Sequence, residues 1–543
     1  MGFLTRQQTM GVAALALGGG VLLSRVMGLV RDKVISYYFG AGPEADVYFM
    51  AFVVPDYLNY LLAGGYFSIT LVPLLAAAFM HDAEDAWRFF SAAVCWAFLA
   101  IAACTVLAFI HARPLAALVA PGFGPEQLDR LAFFLRIVLP AQAAFLPGAC
   151  FTAMLYLRKQ FVVPTLTPLI YNFSIILGGC LVVWLAPHRG MEGFCWGVLA
   201  GAVLGSLVLP VLAVRAQELR FRPRLCHAGM KRVAILALPL MVGQSIVVLD
   251  EQFVRIFGSL TGEGGVSLIN YARRIMQVPV GVIAQAAGLA SYPFLAALAA
   301  RGAEGRAEFD SQLQATLKAT VLVAVPVSLW MIVASEPVMR LIFQQGSFGA
   351  QEATQSGLLL ALMLGGVVFW CIQQVLGRGF YARQDTLTPA MVGTVSTLAA
   401  LPLYWLGARF FAAPGVALAG SLGVGLYTLL LVWRWQAMHG TGALLGLGLT
   451  LLRGLLWCLP AALAAYWANA GLMAWLAPGI FAPESLFLAF CRIMGSGLAF
   501  ATVYFGLLIP FAPDLCAPVT TITGKIYRKL TAGAARTNEE QAK

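Results

Sequence analysis

Long apolar runs recur along the whole chain, separated by short polar, glycine- or proline-rich breaks. A helix needs about 20 mostly apolar residues to cross the hydrocarbon core of a bilayer. Fourteen stretches reach that length, near 10–37, 46–79, 89–112, 129–157, 162–186, 191–214, 232–258, 266–299, 315–336, 354–382, 386–410, 413–436, 448–471 and 488–511. The faintest are 266–299 and 354–382, where Gly, Gln and Arg interrupt the pattern. The pattern predicts an all-α polytopic membrane protein with 14 transmembrane helices. The first run has no small-residue cleavage site before the next charges, so it is expected to stay as a helix.

Composition points the same way. A soluble domain carries about 25% charged residues, because its surface must stay wet. Here 60% of residues are apolar and only 11% are charged, so most of the surface is expected to face hydrocarbon. The ten cysteines are scattered, most of them inside apolar stretches, with no CxxC pair and no Cys/His spacing for zinc. They read as small packing residues.

The net charge of +11 is mostly a topology signal. Lys and Arg concentrate in the loops that stay in the cytoplasm. The connection after the sixth stretch carries Arg215, Arg220, Arg222, Arg224, Lys231 and Arg232. Other even connections hold Arg158 with Lys159, Arg301 with Arg306, and Arg378 with Arg383. Odd connections such as "GAGPEAD", "PGFGPEQLD" and "TGEGG" are acidic or neutral, with Arg189, Arg340 and Arg409 as isolated exceptions. Even connections and both termini are therefore expected in the cytoplasm. Nucleic-acid binding would need basic residues interleaved with aromatics on a soluble face, and the sequence has none.

Two segments about 220 residues apart resemble each other. "MAFVVPDYLNYLLAGGYFSITLVPLLAAAF" and "RRIMQVPVGVIAQAAGLASYPFLAAL" each place Pro near the start, a Gly/Ala-rich middle, then Pro with Leu/Phe and Ala. Pro55 and Pro73 thus match Pro279 and Pro293. A second echo links "YLRKQFVVPTLTP" (156–168) with "YARQDTLTPAM" (381–391). Repeats six helices apart in the same orientation suggest two halves related by an axis along the membrane normal, as in alternating-access transporters. The expected plan is an N-lobe at 1–220, a C-lobe at 221–440, two further helices at 441–515 and a cytoplasmic tail at 516–543.

Ionisable groups at membrane depth mark pathways or buried pairs. Arg25 and Asp32 are seven apart on the first stretch and share a helix face, with Arg31 about 120° away. Arg31 and Asp32 form either a structural pair or one wall of a cavity; Arg25 has no nearby acid in sequence. The eighth stretch supplies Arg273 and Arg274 before Pro279. If the halves face each other, Arg25, Arg31 and Arg274 would line an anion-binding cavity, since arginine forks onto phosphate or carboxylate oxygens. Asp250 reads either as an ion-coupling carboxylate or as a partner of Arg255. Asp385 reads as a coupling group or an N-cap, and Asn172 as a polar contact or a packing hydrogen bond. No P-loop, GxSxG or HExxH motif is present, which argues against an enzyme and against an ATP-driven pump.

"SRVMGLVRDKVISYYFGAGPEADVYFMAFVVP", "GGYFSITLVPLL", "YARRIMQVPVGV" and "GRGFYARQDTLTPAMV" together resemble the MurJ/MviN family of lipid II flippases, along most of the first twelve stretches. The resemblance implies the multidrug/oligosaccharidyl-lipid/polysaccharide exporter fold, with two six-helix lobes and a groove for a polyprenyl tail on the last two helices. It implies a bacterial inner-membrane protein that moves undecaprenyl-diphosphate carrying the peptidoglycan disaccharide-pentapeptide from the cytoplasmic to the periplasmic leaflet, working with the cell-wall synthesis machinery. The family's cavity residues fall on Ser24, Arg25, Arg31, Asp32, Asn172 and Arg274, with Arg273 an additional cation. Its Na⁺-site aspartate falls on Asp250, with Asp385 a further member, so the implied drive is Na⁺, H⁺ or the membrane potential, without a cofactor. The chain departs from the family pattern at Asn59-Tyr60, Gly64-Gly65 and Gln277, where many members carry an Arg pair, Glu-Gly and Glu. The loss of that cation leaves two alternatives open: another polyprenyl-diphosphate-linked oligosaccharide as cargo, or a non-transporting cell-wall scaffold.

Overall fold

Each of the fourteen apolar stretches falls on helix in the computed structural model, which describes residues 10–62, 66–440, 442, 444, 446–476 and 485–512. Side chains are not described at 10–17, 62, 66–69, 238–251 and 289. Gly64, Gly65 and the tail at 516–543 therefore lie outside the described residues, as does the side chain of Asp250. Among the described residues, nine helices are long and apolar enough to cross a membrane. Ten qualify when Ala350–Leu364 and Val367–Ala382, bent by 42° at their junction, count as one span.

Two features of the described residues account for part of the difference from fourteen. The second stretch is broken at residues 51–52, between Pro43–Met50 and Val53–Leu62. The eleventh and twelfth merge into one helical run, Leu387–His439, 53 residues long. At 1.5 Å per residue a straight helix of that length would reach about 80 Å, far beyond a bilayer. The run instead reverses at Ala412, whose φ of 52° and ψ of −138° are not helical. Gly407 and Gly415 flank the reversal, and their backbones lie so close that a Cβ on Gly415 would stand 2.0 Å from the Gly407 carbonyl oxygen. Only glycine fits at that approach.

Helix ends follow the sequence. Pro43 and Pro125 open helices at positions whose N–H would be unused. Asp82 caps Ala83–Ile110 by accepting from the Glu84 amide at 2.8 Å. The eighth stretch changes to a π-helical turn at Val280–Ala284, directly after Pro279. Proline removes a backbone donor, and a wider turn accommodates the loss.

The chain forms two compact units. The first comprises Met1–Tyr271, Gln345–Glu352 and Leu401–Val416. Part of its core joins Leu71, Leu75, Trp87, Phe90, Phe151, Val163 and Val214. The second comprises Ala272–Gln344, Ala353–Ala400 and Ala417–Lys543. There Trp435 is fully buried between Phe309 and Phe380, with ring centroids 6.1 and 4.7 Å away. Helices Leu447–Leu476 and Leu486–Phe511 pack on each other and on Arg306–Val333. Arg492 fixes that packing: it pairs with Glu336 at 2.8 Å and donates to Asn469 at 2.8 Å, while Glu336 also holds Arg340.

The second sequence echo has a structural counterpart within each unit. Lys159 and Gln384 both adopt left-handed backbone, with φ of 58° and 61°. The preceding arginine lies over an aromatic ring in both: Arg158 over Trp87 at 5.6 Å, Arg383 over Phe309 at 4.3 Å. Both rings sit in the first turns of their helices, Ala83–Ile110 and Arg306–Val333.

Candidate functional site

Glycine brings the first helix, Met10–Phe39, against Val162–Leu185. A Cβ on Gly20 would stand 1.9 Å from the Thr165 methyl, so a side chain there would hold the helices apart. Further along this contact the predicted polar residues meet. Arg31 donates through Nε and Nη2 to one oxygen of Asp32, at 3.0 and 2.8 Å. Its Nη1 donates to Asn172 Oδ1 at 3.2 Å. The Asn172 amide nitrogen is taken by the Pro168 carbonyl at 2.9 Å, which leaves its oxygen facing the guanidinium.

Asp32 is fully buried and Asn172 nearly so, while the Arg31 side chain keeps 14% exposure. A buried arginine without compensation would cost several kcal/mol, and the paired carboxylate offsets that cost. The arrangement holds a forked cation at a fixed angle with little net charge. Of the other predicted residues in this unit, Ser24 is half-buried and Arg25 is exposed. In the second unit Arg273 and Arg274 are both half-buried, and Arg273 lies 5.8 Å above the Trp370 ring.

The aspartates sort differently. Asp385 accepts the Thr388 amide at 2.9 Å, the geometry of a helix cap. Arg255 pairs with Asp56 at 2.9 Å and with Gln252 Oε1 at 3.3 Å, so its observed acid comes from a helix 199 positions away in sequence. Among the described residues, no group of three His, Cys, Asp or Glu could hold a metal ion.

Sequence reasoning missed Asp46. It lies in "GAGPEAD", read there only as an acidic connection. The structure buries it completely. One carboxylate oxygen accepts the Gly264 amide at 2.6 Å; the other accepts the Ser267 amide and hydroxyl, both at 2.7 Å. These are open amides at the start of Gly265–Pro279, the helix that carries Arg273 and Arg274. An N-cap supplied from 218 residues away leaves no local sequence signal.

Long apolar helices with charged groups paired inside them define a multi-pass membrane protein. The family model described as "Lipid II flippase MurJ" matches residues 35–487. A lipid II flippase MurJ of Burkholderia cenocepacia is 31% identical over 393 residues, covering 70% of this chain and 75% of that protein. A probable lipid II flippase MurJ of Rhizobium meliloti is 30% identical over 436 residues, covering 77% and 80%. The chain belongs to the MurJ family of lipid II flippases. It is a transporter rather than an enzyme, and a multi-pass protein of the bacterial inner membrane.

Solved structures show the same fold. A lipid II flippase MurJ in an inward closed conformation aligns with a TM-score of 0.72 at 21% identity, over 91% of this chain and 99% of that one. An inward-facing multidrug resistance MATE transporter aligns at 0.65 with 13% identity, over 79% and 98%.

Proposed function

We propose that the protein moves lipid II from the cytoplasmic to the periplasmic leaflet by alternating access of two six-helix lobes, 1–220 and 221–440. The observation that carries this reading is the Arg31–Asp32–Asn172 cluster, a forked cation held ready inside a membrane helix pair. Arg25 and Ser24 on the same helix, with Arg273 and Arg274 on the eighth stretch, complete the set that binds the diphosphate and headgroup. A diphosphate cannot enter hydrocarbon without its water, and guanidinium groups take the place of that water. The polyprenyl tail stays in lipid along residues 441–515. Both termini lie in the cytoplasm, and the cell-wall synthesis machinery supplies and receives the cargo.

Coupling to Na⁺, H⁺ or the membrane potential is assigned to Asp250 in preference to Asp385, whose carboxylate already caps Thr388. Asn59 and Tyr60 favour a second reading, because helix Val53–Leu62 carries no arginine of its own. On that reading the cargo is a related polyprenyl-diphosphate-linked oligosaccharide. One experiment separates the two. A host depleted of its own lipid II flippase should regain growth with this chain, and should not with Arg25→Ala combined with Arg274→Ala. Full growth with the double variant would remove the site assignment; no growth with the native chain would favour the second cargo.

A further inference from the structure

The matched arginine turns differ in what surrounds them. In the first unit the donors of Arg158 are used by the chain leaving helix Leu209–Arg215. They reach the Val214 carbonyl at 3.5 Å, Gln217 Oε1 at 3.3 Å and the Glu218 carbonyl at 2.9 Å. In the second unit Arg383 makes one ion pair, to Asp310 at 2.8 Å, and lies over the rings of Phe309 and Trp435 at 4.3 and 5.0 Å. Its other side borders a cavity of about 830 Å³.

That cavity is lined by Arg306, Arg383, His439, Tyr292, Tyr381 and Gln384, among small apolar residues. Among the described residues the Arg306 side chain makes one long hydrogen bond, 3.5 Å to the His439 carbonyl. Asp310 offsets one of the two arginines, so the walls keep an excess of positive charge. The size suits a small ligand or a lipid headgroup. Guanidinium forks select oxyanions, and a phosphate between two of them gains charge-assisted hydrogen bonds.

We propose that this cavity binds a phosphate ester, supplied by the headgroup of an anionic glycerophospholipid, at a site separate from the one that carries the flipped cargo. The leaflet depends on the proposed orientation: the lining residues sit on even connections, which places the site at the cytoplasmic face. There the anionic surface concentrates beside basic residues. The site fixes a resident lipid to the second unit and takes no part in binding the cargo diphosphate.

Native mass spectrometry of the full chain in detergent tests this, with titrations of phosphatidylglycerol, phosphatidylcholine and soluble glycerol 3-phosphate. We expect one phosphatidylglycerol retained in preference to phosphatidylcholine. Arg306→Gln, at an exposed position, should leave the fold intact and weaken that one site about tenfold, as loss of a charge-assisted hydrogen bond implies. Arg383→Gln with Asp310→Asn removes the second cation together with its acid, and should weaken it further. The Arg25→Ala, Arg274→Ala double variant should keep this lipid, which separates the site from the flipping reading. Glycerol 3-phosphate that displaces the lipid at equal affinity would support the phosphate site and assign it to a soluble ester. Equal retention of both lipids, or phosphatidylglycerol binding unchanged in both cavity variants, would overturn the proposal.

Discussion

Arg31 Nη1 and Asn172 Oδ1 lie 3.2 Å apart, across the contact between the first helix and Val162–Leu185. With Asp32 on its other edge, the guanidinium is held from two directions. Removing each holder should have a different effect. Asn172→Ala should leave the fold intact and reduce lipid II transport severalfold, because the guanidinium loses its orientation and keeps its counter-charge. Asp32→Ala should destabilise by about 3 kcal/mol, the scale for stranding one member of a buried pair. Replacing both charges, Arg31→Met with Asp32→Leu, should recover most of the thermal stability in detergent while transport stays lost. Recovery of transport as well would show that the pair serves only the fold.

Asp46 makes a second separable case. Asp46→Ala leaves the Gly264 and Ser267 amides without their acceptors, at a cost of about 1–2 kcal/mol, as for other lost caps. Asp46→Asn keeps one accepting oxygen and turns an amide N–H toward a backbone donor, so it should fall between the two. Hydrogen exchange read at Gly264 and Ser267 should accelerate in the same order. Unchanged protection in Asp46→Ala would mean that these amides find other acceptors.

The Glu336–Arg492 pair gives a prediction about the last two helices. Arg492 is 8% exposed and Asn469 joins the same network. Glu336→Ala should therefore cost about 3–5 kcal/mol by leaving Arg492 buried without its acid. Because the network reaches Leu447–Leu476 and Leu486–Phe511, hydrogen exchange should rise first in those helices. A uniform rise over the whole chain would point to global destabilisation instead.

Arg255 lies beside Val53–Leu62 through its pair with Asp56, one helical turn before Asn59. If that pair only joins helices, the exchange Asp56→Arg with Arg255→Asp should restore both stability and growth of a flippase-depleted host. Stability restored without growth would show that the cation must come from position 255.

Much of this could be read in the sequence, because membrane burial writes itself into composition. The apolar stretches, the paired prolines and the Arg31, Asp32 and Asn172 positions all come from local pattern or family resemblance. The remainder depends on contacts between distant segments. Asp46 caps a helix start 218 residues away, so its neighbours in sequence say nothing about its role. Arg255 reaches Asp56 on a helix 199 positions earlier, a contact that no local pattern announces. Arg340, an exception in the loop-charge pattern, turns out to be held by Glu336 one turn earlier, in a network that also takes in Arg492. The stretches at 386–410 and 413–436 looked like two ordinary spans with a loop between them, whereas the chain needs only Ala412 and its flanking glycines to turn back.

That single-residue reversal settles a question of parity. Arg383 stands just before a 53-residue run and His439 ends it, yet they line one cavity. They share a face only because the run crosses an even number of times before it ends. An insertion that straightened the turn at Ala412 would do more than bend a helix. It would send every later segment to the wrong side of the membrane, and with it the two helices beyond residue 440.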